Sequence, residues 1–176
     1  MRASQFYGLS IFFLAAMNVA CGGSNGPDTG GGGYDSLFSA PAGTATPDRL
    51  QGLWGGGVDQ GDLRFDLRVR VEDGQTTVAA HCSWSDGTKL SVGTQAASRI
   101  TQKPSGDTSC FPLTPGGDAS ECGDVEFLES KSDRQQSGER WCAIDIHPQA
   151  YDWTMAGVQL RFTLNGQEID FVKVSD

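Results

Sequence analysis

Between Asp62 and Glu72 hydrophobic and polar side chains alternate without a break. Leu63, Phe65, Leu67, Val69 and Val71 fall on one side, and Asp62, Arg64, Asp66, Arg68, Arg70 and Glu72 on the other. Successive side chains of a strand point to opposite faces, so this stretch predicts a strand with one face in a core and one in water. Asp73-Gly74 follows, a pair suited to a type I′ turn because both central positions need positive φ. The chain is then expected to return antiparallel through Gln75 to Trp84, with Val78, Ala80, Cys82 and Trp84 on one face. Ser85-Asp86-Gly87 turns it again into Lys89 to Gly93, with Leu90 and Val92 inward. Three consecutive strands with tight turns make a meander.

The middle of the chain, Thr94 to Gly123, carries only a weak strand near Ala96 to Thr101. Asp124 to Ser130 reads as a strand with Val125 and Phe127 on one side, Ser132 to Gly138 as a polar loop, and Glu139 to His147 as a strand with Cys142, Ile144 and Ile146 together. Pro148 stops the pairing or moves it to an edge. Further on, Val158, Leu160, Phe162 and Leu164 alternate with Gln159, Arg161 and Thr163; Asn165-Gly166 makes another type I′ turn, and Gln167 to Val174 returns. No stretch sustains a 3.6-residue period. Residues 49–176 are therefore expected to form an all-β domain of short strands, a small antiparallel up-and-down barrel or, as the alternative, a two-sheet β-sandwich. The meander order favours the barrel, because closure removes both exposed edges. It predicts that the last strand pairs with an opening strand around Leu53 to Val58. The run GLWGGG there suits a sharp bend at a seam, and Trp54 would plug the barrel end.

The first 20 residues differ in kind. Met1 and Arg2 give a positive start, and the apolar run from Phe6 to Ala20 is too short to span a bilayer with comfort but right for a secretory signal core. It ends Asn18-Val19-Ala20-Cys21, which resembles the lipobox of bacterial lipoproteins; Val19 and Ala20 fit, and Asn18 departs from the leucine usual there. The resemblance implies cleavage after residue 20, lipid attachment at Cys21 and a membrane anchor. Gly22 after the cysteine resembles lipoproteins sorted to the outer membrane. The alternative is an ordinary secretory signal, with Cys21 merely following its cleavage site. Residues 22–33 contain seven glycines and no large apolar side chain, a composition expected to behave as flexible coil, and residues 21–48 together are read as the lipidated cysteine and its linker.

Without residues 1–20 the chain keeps 12 basic and 22 acidic side chains, a net charge of −10. Nucleic acid and anionic lipid both require clustered Lys and Arg, so neither is expected as a partner. Of five cysteines, assigning Cys21 to lipid leaves Cys82, Cys110, Cys122 and Cys142, an even number that in an oxidising compartment implies two disulfides. Three connectivities exist. Cys110 and Cys122 flank a loop with two prolines and two glycines that a local bridge would hold, which leaves Cys82 with Cys142. In the chain-entropy account the short closure is worth roughly 3 kcal/mol and the long one about 4. His81 beside Cys82 matches no paired metal-ligand spacing, so no metal is expected.

Gly52-Leu53-Trp54 resembles the Gly-x-Trp that begins the first strand of lipocalin-like barrels, and Phe171-Val172-Lys173 stands where that family sets a basic side chain on a last strand near the tryptophan. The resemblance covers the two ends of the domain and implies a calycin-type barrel. Motifs of catalysis are missing: there is no Gly-x-Ser-x-Gly elbow and no His-Glu-x-x-His pair around His81 or His147. The chain is expected to be no enzyme and to need no cofactor. Trp54, Trp84, Trp141, Tyr151 and Trp153 are candidate ligand-lining aromatics, and core packing is their alternative role. Two functions remain: an outer-membrane lipoprotein with a filled core that acts through its surface on an envelope protein partner, or a lipocalin-like binder of a small apolar ligand. An apolar cavity of a few hundred Å³ would support the second.

Overall fold

A computed structural model describes residues 31–39, 50–72, 74–104, 107, 109–110, 112–113, 121–164 and 167–175, without the side chains of residues 31, 32, 164 and 167. The expected signal segment, Cys21 and most of the expected linker lie outside the described residues. Ten strands are described: β1 (Gly52–Gln60), β2 (Leu63–Glu72), β3 (Gln75–Trp84), β4 (Lys89–Gln102), β5 (Glu121–Phe127), β6 (Lys131–Ser137), β7 (Arg140–Ile146), β8 (Ala150–Ala156), β9 (Gln159–Leu164) and β10 (Gln167–Ser175). Eight of them close into an antiparallel barrel in the order β1-β10-β9-β8-β5-β4-β3-β2, and β6 and β7 form a separate hairpin. The sandwich alternative is thereby set aside. The barrel is an up-and-down meander interrupted once, between β5 and β8, where the hairpin is inserted.

Closure takes place where the sequence predicts it. β10 pairs with β1 through Trp54 opposite Lys173, Gly55 opposite Val172 and Gly56 opposite Phe171, with a register shift between Leu53 and Trp54. The seam needs glycine. A Cβ on Gly56 would stand 2.6 Å from the Asp170 carbonyl oxygen and 2.8 Å from the Phe171 ring, distances that no real side chain keeps. Trp54 is fully buried beside this seam. Its indole N–H donates to the Leu50 carbonyl at 2.7 Å, and the buried Lys173 ammonium lies 5.5 Å from its ring centre. A desolvated cation over an indole face is worth about 2 kcal/mol, so this contact ties the first strand to the last.

The alternation read from the sequence sets the inside of the barrel. Phe65, Leu67, Val69 and Val71 of β2 and Ala80, Cys82 and Trp84 of β3 are buried, and their registered partners share the inner face. Turns follow the same economy: Gly61, Gly74, Gly87, Gly138 and Gly157 have positive φ at five hairpin corners. Asp73 and the Asn165-Gly166 turn lie outside the described residues.

Several expectations are corrected. Lys89–Gly93 and Ala96–Thr101 are one strand, β4, which bonds to β3 through residues 89–97 and to β5 through residues 98–102. The stretch read as a polar loop is strand β6; it reads as loop because no side chain on it is buried. β5 covers Glu121–Phe127 and not Asp124–Ser130, and β8 was not anticipated. Val158 lies in the β8–β9 corner and is exposed, so the final alternation starts at Gln159. Both disulfides join the expected pairs, Cys82 with Cys142 and Cys110 with Cys122, at Cα separations of 5.9 and 5.6 Å.

Within the stretch expected to be linker, Gly31–Tyr34 form a 3₁₀ turn and Ser36–Ser39 a single helical turn, α1. They lie on the outer wall. Leu37 packs with Leu53 and Ala79, joined by Tyr34, Phe38 and Val174. Gly93 is where Tyr34 sits down, since a Cβ there would collide with its ring.

Replacing Trp54 with Ala removes a fully buried indole, its hydrogen bond and its contact with Lys173. The expected loss is about 3–5 kcal/mol in urea unfolding; a loss below about 1 kcal/mol would mean that closure does not depend on this side chain.

Candidate functional site

A cavity of about 300 Å³ lies inside the barrel. On one side it is walled by Phe65, Leu67 and Val69 of β2 with Thr76 and Val78 of β3, and on the other by Val125 and Phe127 of β5, Tyr151 of β8, Phe162 of β9 and Ile169 and Phe171 of β10. Strand alternation explains why these side chains converge. The void arises because inward positions on β3 are small, Thr76, Val78 and Ala80, while the facing wall is aromatic. Phe162 meets Phe171, and Phe127 meets Tyr151, edge to face with centroids 5.6 Å apart in each case. Such pairs hold their rings in place, so the opposite wall does not collapse into the gap.

Polar groups are distributed unevenly over this surface. Thr76 bonds to Ser98, Oγ1 to Oγ at 2.8 Å, so part of its hydrogen-bonding capacity is already taken. The other polar residues that line it, Asp145, His147, Gln149 and Tyr151, all come from one side, the end of β7 and the start of β8, and the Asp145 carboxylate is paired with Arg134. A molecule held here therefore meets apolar walls over most of its surface and polar groups along one edge.

The fourth wall is the β6–β7 hairpin. Ala143 to His147 line the cavity, and Cys142, Ile144 and Ile146 belong to the inner core. The hairpin packs on β3 and β4 but joins them by side chains. Cys142 is bonded to Cys82. Asp133 accepts the Gly93 N–H and Glu129 accepts the Ala97 N–H, each at 2.9 Å, so two carboxylates occupy amides of β4 that a neighbouring strand would otherwise bond. The Ala97 N–H, with the Lys131 ammonium next to it, holds the Glu129 carboxyl below the usual carboxylate range. At the hairpin corner Arg140 reaches Asp62 at 2.9 Å and Asp86 at 3.3 Å and lies over the Trp84 ring.

Of the five aromatics expected as ligand-lining, Tyr151 lines the cavity. Trp54 is taken up by the seam, and Trp84 is covered by Arg140. Trp153 packs in the core against Gly123, and Trp141 points outward, 47% exposed, because it stands on the face of β7 opposite Cys142. Residue type alone does not say which way an aromatic faces. The lining phenylalanines were legible from alternation as inward residues, whereas the space between them was not. His81 faces outward as expected, stacked on Phe38 at 3.4 Å and bonded to Asp35 at 3.0 Å. His147 stands at the exposed end of the cavity lining.

Charged groups elsewhere form pairs. Among the described residues no group of three or more His, Cys, Asp or Glu side chains comes together as a metal would need. Asp124 stands opposite Asp152 across β5 and β8, with Lys103 at 3.5 Å from Asp152. Comparison with family models, curated proteins and solved structures finds no match for this chain.

Desolvation and then the neighbouring Asp152 carboxyl raise Asp124 above the ordinary carboxylate range. The folded chain thus holds this proton more tightly than the unfolded chain, and the contribution to stability falls as pH rises through that interval. Asp124→Asn is expected to raise the urea midpoint at pH 7, with a smaller gain at roughly pH 3, below the ordinary aspartate value, where the carboxyl is protonated in the folded and the unfolded chain alike. An equal effect at both values would contradict this account.

Proposed function

We propose that this chain binds a small apolar molecule inside its barrel, in the manner of lipocalin-like proteins, and is held at the outer membrane by lipid on Cys21. The observation that carries the first part is the cavity: about 300 Å³, walled by aliphatic and aromatic side chains, with its polar groups on one edge. Of the two functions that the sequence leaves open, a filled core acting through its surface has no use for such a space. At the roughly 30 Å³ that a water-sized group takes in a liquid, the cavity holds about ten non-hydrogen atoms. The ligand is accordingly a short aliphatic chain or one to two fused rings, with no hydrogen-bonding group on its buried part. Its polar end, where it has one, lies toward His147 and Gln149.

A lipocalin-like kinship is supported by the Gly52-Leu53-Trp54 opening, the Trp54–Lys173 contact and the eight-stranded meander closed by first and last strands. Anchorage is supported by the Val19-Ala20-Cys21 ending and the glycine-rich residues behind it. Two acyl chains on one cysteine make release from a membrane very slow, whereas one gives marginal binding.

1-Octanol has the right size and one polar end. Eight carbons at about 0.8 kcal/mol each give roughly 6 kcal/mol before the cost of immobilisation, so calorimetric titration is expected to show a dissociation constant of about 0.1 mM to a few mM. Val78→Trp fills the cavity from β3 and is expected to weaken binding by at least about tenfold while far-ultraviolet circular dichroism keeps its β signature. No measurable uptake by the native chain, or equal uptake by Val78→Trp, would sink the ligand reading. Separately, Cys21→Ser is expected to move the protein from the detergent phase to the aqueous phase of a Triton X-114 partition; persistence in the detergent phase would rule out the anchor.

A further inference from the structure

The barrel strands are tied to one another by continuous backbone ladders, while the hairpin that forms the remaining wall of the cavity is not. β6 lies beside β4, yet the two belong to different sheets; Asp133 of β6 accepts the Gly93 N–H, and Glu129, just before β6, accepts the Ala97 N–H. The neighbouring backbone bonds, Leu128 N–H to the Ala97 carbonyl and Phe127 N–H to the Gln149 carbonyl, lie at the root of the hairpin and not along it. At the far end two side-chain fastenings remain, Cys142 to Cys82 and Arg140 to the Asp62 and Asp86 carboxylates.

We infer that the β6–β7 hairpin is the gate of the cavity, the wall that lifts from β4 to admit and release the ligand, and that the Cys82–Cys142 disulfide limits how far it opens. The inference rests on the ligand reading above and adds to it the route and its control. Lifting β6 from β4 breaks the charge-assisted bond between Asp133 and the Gly93 N–H and loosens the one between Glu129 and Ala97 at the root, bonds that water can replace at once on both partners. Parting any two barrel strands would break a ladder of up to ten residue pairs, as between β2 and β3. Lifting also draws Ile144 and Ile146 out of the cavity wall, which opens the space directly. Phe127 and Tyr151, packed edge to face at the root, stay with the barrel and serve as the hinge. Because both cysteines are buried on the inner side, their bond holds β7 to β3 near the hairpin corner, so the native chain opens narrowly and exchanges ligand slowly.

The test is the double variant Cys82→Ala/Cys142→Ala, with Cys110–Cys122 left in place, measured beside the native chain during titration with 1-octanol. Methyl line shapes of Ile144 and Ile169 report the rates, and amide hydrogen exchange reports the opening. Association and dissociation are both expected to quicken by at least tenfold, with the Ala143 to Ile146 amides exchanging faster and those of β1, β2 and β10 unchanged. Should the double variant lose its barrel signals, Glu129→Gln/Asp133→Asn, which keeps both disulfides and side-chain volumes, is expected to raise both rates several-fold by weakening the fastenings to β4. Native binding of 1-octanol with unchanged rates in a folded variant overturns the gate and leaves the ligand reading standing. Absence of 1-octanol uptake by the native chain removes the ligand reading itself.

Discussion

Everything inside this protein depends on one seam. A sheet of eight strands has an inside only when its first and last members pair, and here that pairing runs through Trp54 opposite Lys173 and Gly56 opposite Phe171. The two contacts do different things. Trp54 and Lys173 supply attraction, a cation over an aromatic face in a place closed to water, with the indole N–H satisfied by Leu50. Gly56 supplies room, since any side chain there would drive the Phe171 ring from its place. Phe171 also walls the cavity, so the geometry that closes the barrel shapes the space it encloses.

A closed meander of tight hairpins would fill its own interior or leave it open at the ends, and the inserted hairpin changes that outcome. β4 is 14 residues long and is paired by β5 only over its last five, so its first half would project with open amides. β6 takes the place of the missing neighbour, but with carboxylates where a ladder would have carbonyls. A bare sheet edge is a site of aggregation, and side-chain acceptors protect it without adding another rigid strand. The barrel thus acquires a wall of lower cooperativity than the rest, fixed at chosen points by one disulfide and one arginine.

How much of this could be read from the sequence depended on what each residue had to do. β2 and β10 were legible because one face of each is buried and the other wet, which is the condition for strict alternation, whereas β3 was legible from its inner face although Thr77 and Ala79 on its outer face are covered too. β6 was illegible for the same reason reversed: Lys131 to Ser137 bury neither face, so a paired strand has the composition of a loop. In β4 the run Gly93, Thr94, Gln95, Ala96, Ala97, Ser98 hides a continuous strand, because Gly93 is kept bare for Tyr34 and the small residues after it lie where β6 and β5 crowd in. Both disulfides could be placed from loop composition and strand phase. The cavity could not, because a void is a difference between volumes on facing walls, and no single strand carries that information.

The outer wall shows that the short segment before the barrel follows the same logic as the strands. Leu53, Ala79 and Val174 are apolar residues on outward faces of β1, β3 and β10, and left bare they would form an exposed patch astride the seam. Tyr34, Leu37 and Phe38 cover it, and the bond from Asp35 to His81 with the stack of Phe38 on the same imidazole fixes the cover in register. Arg68, with its guanidinium 5.0 Å from the centre of the Phe38 ring, extends that contact across β2. The chain therefore reaches the barrel beside the closure it depends on, and any pull on the residues before Gly31 is borne by side chains packed over β1, β3 and β4 and not by the free end of β1. On the proposed lipid anchor at Cys21, attachment across several strands at the seam would pass force to the fold without peeling the first strand from it.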